Sequence, residues 1–155
     1  IIFGLEKSRG DYVELGFLRE NNVGINYAAA NRIEAFEERF PLESSETEYV
    51  IMIQQDQYDS GLLPECNGKI KRIRVSFHDY DKEEGLAYCK EVIRKGYLCH
   101  VNPINVTGYS DKELLELIKA VNGMGAAFFT LVDTFGSMTK DDLLRMYMLV
   151  ENNLV

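Results

Sequence analysis

The sequence has few of the residues on which specialised small proteins depend. Three cysteines and two histidines occur in 155 residues, and no two cysteines have C-x-x-C spacing. This excludes an obvious zinc site or disulfide framework and favours a reducing compartment. We therefore expect a cytoplasmic protein. Cys89 and Cys99 lie in apolar, periodic segments, which predicts that both are core thiols.

Basic and long apolar segments are also lacking. Lys and Arg number 17 against 25 Asp and Glu, which gives a net charge of −8 without any basic run. An acidic surface does not attract nucleic acid or anionic membranes, and we expect neither as a partner. No stretch approaches the roughly 18 apolar residues of a membrane helix. The apolar start, Ile1 to Phe3, lacks the basic leader and cleavage site of a signal peptide.

Several catalytic motifs are absent as well. Gly123 and Gly125 precede a predicted strand and lack a third glycine, so they are not a dinucleotide-binding fingerprint. The sequence has no Gly-Lys-Ser/Thr phosphate loop and no serine in a nucleophile elbow. The sequence therefore gives little support to dinucleotide binding, phosphate-loop chemistry or serine hydrolase chemistry.

What is present is a regular alternation of strands and helices in one domain, residues 1–155. Hydrophobic residues make up 46% of the chain and charged residues 27%, as in a folded globular protein. Short segments that are β-branched or aromatic and bounded by Gly, Pro, Asn or Asp predict five strands, at residues 11–17, 48–53, 70–77, 97–102 and 127–132. The last has no alternation, which predicts burial on both faces. Residues 55–69 have the composition of an exposed loop or irregular helix.

Helical patterns lie between these strands. Ser110 with Glu113 predicts a capping box for a helix that Gly123 closes. Asp81 starts a helix that stops at Gly96, a helix follows Thr139, and residues 28–39 predict a fourth. Ile1 to Arg9 has the pattern of the end of a preceding helix.

Strand–helix alternation predicts an α/β fold with parallel strands and right-handed crossovers. The spacing of just under 30 residues suits a partial TIM (β/α)8 barrel. A five-stranded doubly wound sheet has similar spacing and stays open as the alternative. The helical start without Met and the helical end favour a barrel fragment cut from a longer repeat, and its open edges predict a homo-oligomer.

Four segments together resemble the metal-dependent aldolase and lyase barrel superfamily, which includes 3-hydroxy-3-methylglutaryl-CoA lyase. They are residues 11–17 (DYVELGF), 75–78 (VSFH), 102–110 (NPINVTGYS) and 132–138 (VDTFGSM). The order and spacing are similar to strands two to six of that barrel, and the bacterial 4-hydroxy-2-oxovalerate aldolases are the nearest resemblance.

The resemblance implies a carbon–carbon lyase that reversibly cleaves a 4-hydroxy-2-oxo acid to pyruvate and an aldehyde. It also implies a divalent cation, Mn²⁺ or Mg²⁺, that stabilises an enolate as a Lewis acid. The family holds this metal with an Arg-Asp-Gly motif on strand one and a His-x-His motif on strand seven. This chain contains neither motif. We therefore predict no metal ligand here, no cation bound to this chain and no activity of the chain alone.

The candidates for the substrate pocket are polar residues at or near strand ends: Glu14, Arg19, His78, Asn102, Asp133 and Thr134. Asp133 can orient a catalytic group and Thr134 can donate to a substrate carboxylate. Arg19 can neutralise that carboxylate, His78 can carry a proton, and Asn102 can bind a carbonyl or hydroxyl.

Each candidate also has a structural interpretation. Asp133 can be a turn former, Arg19 a solvated loop residue and His78 a loop histidine beside Asp79. Glu14, in an apolar strand, needs a cation, and Arg19 or Arg74 can supply a structural ion pair. Asn102 and Asn105 can merely shape the turn at Pro103, and the other histidine, His100, is expected to pack within a strand.

Overall fold

A six-stranded, all-parallel sheet with helices between its strands forms the molecule, as the alternating pattern predicts. The computed structural model describes Gly4, residues 10–40 and residues 46–155. The strands are β1 (Tyr12–Leu18), β2 (Ala29–Ala30), β3 (Glu48–Gln54), β4 (Arg72–Phe77), β5 (Leu98–Pro103) and β6 (Phe128–Phe129). The helices are α1 (Glu34–Arg39), α2 (Lys82–Arg94), α3 (Asp111–Met124) and α4 (Lys140–Asn153). None of the helices in the described residues has the length and hydropathy needed to cross a membrane.

The sheet order is β2-β1-β3-β4-β5-β6. From β1 to β6 each strand is added beside the preceding one, as in a barrel, apart from the two-residue β2 on the outer side of β1. Helix α2 packs on β4 and β5, and α3 contacts both α2 and α4. The three longer helices therefore follow one another along one side of the sheet, whereas a doubly wound domain has helices on both sides.

The core lies between the sheet and these helices. Its strand side is apolar, because alternate residues of β3, β4 and β5 point toward the helices. Ile51, Ile73 and Val101 are each 0% exposed. Gly85 allows α2 to approach β4, since a Cβ built there would lie 2.2 Å from the ring of Phe77. Cys89 and Cys99 are buried free thiols, as predicted.

Helix ends follow the predicted capping chemistry with two corrections. Ser110 and Glu113 form a capping box, and Thr139 and Asp142 form another. Helix α3 does not close at Gly123. It continues to Met124, and the left-handed residue that ends it is Gly125, with φ 73°.

The second correction concerns the cap of α2. Asp81 is the N-cap residue, as predicted, but its side chain makes no hydrogen bond to the helix. It instead accepts a hydrogen bond of 2.5 Å from the backbone N–H of His78. Gly96, with φ 90°, follows the end of this helix as expected. The predicted irregular segment at 55–69 contains two short 3-10 turns, Gln55–Gln57 and Ser60–Leu62.

Two predicted elements differ more substantially. The helix expected over 28–39 is wrong in its first half, where Ala29 and Ala30 pair with Phe17 and Leu18 of β1. The strand expected over 127–132 contracts to Phe128–Phe129 and is not buried on both faces, because it is the edge strand and Phe128 is 44% exposed. The helix end predicted for Ile1 to Arg9 lies outside the described residues, apart from Gly4.

Candidate functional site

One face of the sheet carries charged and aromatic side chains instead of helices. The strand register places on this open face Tyr12 and Glu14 of β1, Glu48 and Val50 of β3, Arg72 and Arg74 of β4, His100 and Asn102 of β5, and Phe128 of β6. Tyr12 is 46% exposed. Successive strand residues alternate between faces, so the apolar core and this polar face come from the same strands.

A polar network crosses the open face with Arg74 at its centre. Nη1 of Arg74 donates to Oε2 of Glu14 at 2.6 Å. With the Asn102 amide oriented to satisfy its neighbours, its oxygen accepts from Arg74 Nε at 2.9 Å and Nη2 at 2.7 Å, and its nitrogen donates to Thr130 Oγ1 at 2.9 Å. Asn102 is 1% exposed. The network thus joins β1, β4, β5 and the residue that follows β6.

This network identifies the cation that pairs with Glu14. Its cation is Arg74, one of the two anticipated, and the carboxylate is about a third exposed at 34%. A buried amide held by a guanidinium is fixed in orientation, because both of its polar ends are occupied. Glu14 and Asn102 are therefore brought together through a residue that was not among the site candidates.

A second cluster lies on the open face nearer the start of the strands. Arg72 binds Glu48 through two bonds, Nε–Oε2 at 2.5 Å and Nη2–Oε1 at 2.9 Å. Its guanidinium carbon lies 4.9 Å from the centre of the Tyr12 ring and 5.5 Å from that of Phe128. Arg72 is 9% exposed, so aromatic rings and a carboxylate replace the water around its charge.

His100 completes this cluster and has a packing role, as expected. Its ring centre is 4.5 Å from that of Phe128, and Nε2 lies 3.4 Å from Nη1 of Arg72. Burial and then the positive charges of Arg72 and Arg74 lower the pKa of His100 to about 4, against a weaker opposing effect of Glu48. The imidazole is therefore neutral near pH 7.

The Asp133–Thr134 turn lies beyond the carboxyl end of β6. Oδ1 of Asp133 accepts from the backbone N–H of Ser137 at 3.0 Å, and both carboxylate oxygens lie 3.2 Å from the N of Met138. Asp133 therefore has the turn-forming role that was its structural interpretation. Oγ1 of Thr134 accepts from the N–H of Asn105 at 2.7 Å, which ties this turn to the one after β5.

His78 lies at the carboxyl end of β4 and stacks on an exposed aromatic ring. Its ring centre is 4.7 Å from that of Tyr80, with 10° between the planes. Nδ1 of His78 lies 3.6 Å from Oδ2 of Asp81, so the acidic neighbour is Asp81, whereas Asp79 was the one anticipated. The carboxylate of Asp79 instead accepts from the backbone of Tyr80 at 3.0 Å.

Arg19 follows β1 and borders a cleft of about 260 Å³ with Glu20, Asn21, Asn22, Asp56 and Gln57. The cleft lies between the ends of β1 and β3, which a backbone bond of 3.0 Å from Glu20 N to Gln57 O holds together.

The predicted residues thus fall into separate groups. Glu14 and Asn102 share Arg74, while Thr134 contacts Asn105. Within the described residues, no hydrogen bond or ion pair joins Arg19 or His78 to another of the six candidates. The sequence interpretation missed Arg72 and Glu48 altogether. Their signal was the alternation of Arg72 and Arg74 in an otherwise apolar strand, which places two guanidinium groups on one face.

The described residues do not fit the divalent cation that the family resemblance implies. No group of three or more His, Cys, Asp or Glu side chains in these parts of the chain is arranged to hold a metal ion. The carboxylates of Glu14 and Glu48, which lie on the open face, are both paired with arginine.

Comparison with known proteins adds no assignment. No protein-family model matches the sequence, and no curated protein is significantly similar to it.

Proposed function

We propose that this chain forms part of a divalent-metal-dependent aldolase or lyase that reversibly cleaves a 4-hydroxy-2-oxo acid to pyruvate and an aldehyde. The observation that carries the proposal is the Glu14–Arg74–Asn102 network on the open face of a parallel sheet. In (β/α) barrels the sheet face without helices is the interior, and the active site lies where that interior opens at the carboxyl ends of the strands. The reaction class is inferred from the four segments that resemble the metal-dependent aldolase and lyase barrels.

Under this proposal the chain's own residues bind and orient the 2-oxo acid. The Thr134 hydroxyl accepts a hydrogen bond from the Asn105 N–H, which leaves its own O–H free to donate to a substrate carboxylate. Arg74 and Asn102 lie on the open face of the sheet, and their mutual bonds fix these polar groups before substrate arrives. No reaction step is assigned to a metal, because the described residues offer no site for it.

The cellular setting is part of the same proposal. The three cysteines Cys66, Cys89 and Cys99 are free thiols, which suits a cytoplasmic location. We expect a homo-oligomer with a small 2-oxo acid as substrate, and the chain alone should be inactive.

The test is pyruvate release from 4-hydroxy-2-oxovalerate with Mn²⁺ or Mg²⁺, coupled to lactate dehydrogenase and measured as NADH loss. The assay uses the full-length product of the gene, with the 155-residue chain beside it. We expect metal-dependent turnover only by the former. A full-length product that releases no pyruvate from 4-hydroxy-2-oxo acids of several chain lengths would refute the proposal.

A matched set of variants tests the role of Thr134. Thr134→Val should raise KM about tenfold, because one hydrogen bond to a charged group is lost. Thr134→Ser should restore it, since the hydroxyl is kept. Ser137→Ala removes a hydroxyl from the same loop and serves as control. Equal KM for Thr134→Val and wild type would remove this residue from the substrate site.

A non-enzymatic doubly wound binding or signalling domain is the second candidate. The position of β2 outside β1 favours it, because the order 2-1-3-4-5 occurs in flavodoxin-like domains. The arrangement of the three longer helices along one side opposes it. A full-length product without aldolase activity that remains a stable monomer would favour this alternative.

A further inference from the structure

Arg19 is a partly buried cation without a carboxylate partner among the described residues. Its Nε atom is buried and has no hydrogen-bond partner. Five other arginines of the described residues each bind a carboxylate, namely Arg32, Arg72, Arg74, Arg94 and Arg145. In a chain with 25 acidic and 17 basic residues, anions are plentiful. Arg19 also lines an open cleft, so the guanidinium can donate there to an anion from outside the chain.

The surroundings of Arg19 hold the guanidinium in place without neutralising it. Its central carbon lies 5.9 Å from the centre of the Phe17 ring and 5.7 Å from that of Tyr27. Cation–π contacts of this kind position a guanidinium while leaving its N–H groups free to donate. The backbone N–H of Arg19 is bonded to Ala30 O at 2.9 Å, which anchors the residue at the end of β1.

The acidic groups beside Arg19 do not pair with it. An oxygen of Glu20 accepts from the backbone N–H of Asp59 at 3.0 Å, which directs this carboxylate to a turn. Asp56 lines the same cleft, and within the described residues no ion pair links it to Arg19. Two nearby negative charges make the cleft unfavourable for a dianion such as phosphate.

The space in front of Arg19 suits a small ligand. The cleft of about 260 Å³ is lined by Asn21, Asn22 and Gln57, whose side-chain amides supply further donors. A planar carboxylate matches the two parallel N–H groups of a guanidinium, and a single negative charge is tolerated beside Asp56.

We propose that the Arg19 cleft, between the ends of β1 and β3, is a binding site for the carboxylate of a small organic monoacid. Arg19 donates to the carboxylate and the cleft amides bind the rest of the ligand. This inference stands without the proposed aldolase function, because it needs only the unpaired guanidinium and its cleft.

The experiment follows the side-chain Nε–Hε resonance of Arg19 in ¹H–¹⁵N spectra of the 155-residue chain at constant ionic strength. Arg19→Gln assigns the signal by its disappearance. Pyruvate and acetate should shift it saturably, whereas phosphate should not. The Nε–Hε signal of Arg74, which is already bonded, serves as the internal control for non-specific effects of added salt.

Two variants test the charge argument. Arg19→Lys keeps the positive charge but removes the two parallel N–H donors of the guanidinium, and should weaken pyruvate binding about tenfold. Asp56→Asn removes a repulsive charge and should strengthen it about threefold. Glu83→Gln, an exposed substitution on α2 with the same change of net charge, should leave binding unchanged.

Three results would overturn the inference. They are no saturable shift of the wild-type Arg19 signal, an equal shift of Arg74, and tighter binding of phosphate than of pyruvate. The wild-type measurement decides the matter even where a variant fails to fold. Pyruvate release by the full-length product with no Arg19 shift would overturn this site alone. A shift of the Arg19 signal without pyruvate release by the full-length product would support the binding site and refute the proposed aldolase function.

Discussion

Arg74 links two other strands across the open face, since it binds Glu14 on β1 and the buried amide of Asn102 on β5. The two interactions contribute differently to the free energy of unfolding. The Glu14–Arg74 pair is about a third exposed on both sides, at 34% and 32%, so solvent screens it. Asn102 is 1% exposed and has no access to water as a substitute partner.

Arg74→Met should therefore destabilise the protein more than Glu14→Gln does. Loss of Arg74 leaves a buried amide oxygen unsatisfied, at a cost of about 1–3 kcal/mol. Loss of the Glu14 charge removes a screened pair worth at most about 1 kcal/mol. Urea unfolding of both variants measures the difference. Equal effects would mean that Asn102 does not depend on Arg74.

His100 predicts a pH dependence of stability with a definite sign. Burial and the positive charges of Arg72 and Arg74 hold its pKa at about 4 in the folded chain, below the ordinary 6.5. Between these values the unfolded chain binds a proton that the folded chain does not. The free energy of unfolding should therefore fall as pH decreases from 6.5 to 4, by at most about 1.4 kcal/mol per pH unit.

The check is urea unfolding at pH 7 and pH 5 for wild type and His100→Gln. The wild type should lose more stability than the variant over this range, since carboxylates titrate in both. Parallel losses would show that His100 titrates normally. The imidazole proton resonances of wild type provide an independent midpoint.

At the scale of elements, the sequence predicted the strands that local residue patterns determine. It failed for elements whose structure depends on contacts with neighbouring strands. The strands at 48–53 and 70–77 were placed within two residues, because β-branched runs between turn residues depend little on context. The first half of the helix predicted over 28–39 was wrong, since Ala29 and Ala30 have helical propensity but pair with β1, while Glu34–Arg39 is helical. The contraction of β6 has the same origin, because its apolar run cannot reveal that the strand lies at an edge.

The candidate site was predicted in part for similar reasons. Glu14 and its possible partner Arg74 followed from the cost of burying an unpaired carboxylate. The link from Arg74 to Asn102 depends on the register of β4 with β5, which pairs Ser76 with Asn102 and Arg74 with His100. No local pattern contains that register, so the network could not be assembled from sequence.

The contact between α2 and β4 predicts opposite effects at two helical glycines. Gly85→Ala should destabilise by about 1–3 kcal/mol, because the new Cβ would lie 2.2 Å from the ring of Phe77. Gly123→Ala, in α3, meets nothing within 4 Å and should stabilise by roughly 0.5–1 kcal/mol. Thermal unfolding of both variants checks the pair. Stabilisation by Gly85→Ala would contradict the close packing at Gly85, whatever the effect at Gly123.

For the molecule as a whole, the open face and the edge strand β6 expose aromatic side chains to solvent. Tyr12 is 46% exposed and Phe128, on the edge strand β6, is 44% exposed. Unpaired strand edges and exposed aromatic rings favour association with a second copy. Self-association stays a prediction, and sedimentation velocity over a range of concentrations tests it. Phe128→Lys should shift the chain toward monomer, with Tyr80→Lys, an exposed site away from β6, as control.

The labelling rate of the two core thiols, Cys89 and Cys99, can report how often the core between α2 and β5 opens. Both side chains are buried, so neither sulfur is accessible to an alkylating reagent while α2 lies on β5. A hydrogen bond with Cys99, together with burial, also raises the pKa of Cys89. Cys66 is only partly buried and should react first. The slower labelling of Cys89 and Cys99, followed by mass spectrometry, then reports how often this helix lifts from the sheet. Labelling both sulfurs in one step would mean that helix and strand separate as a single cooperative unit.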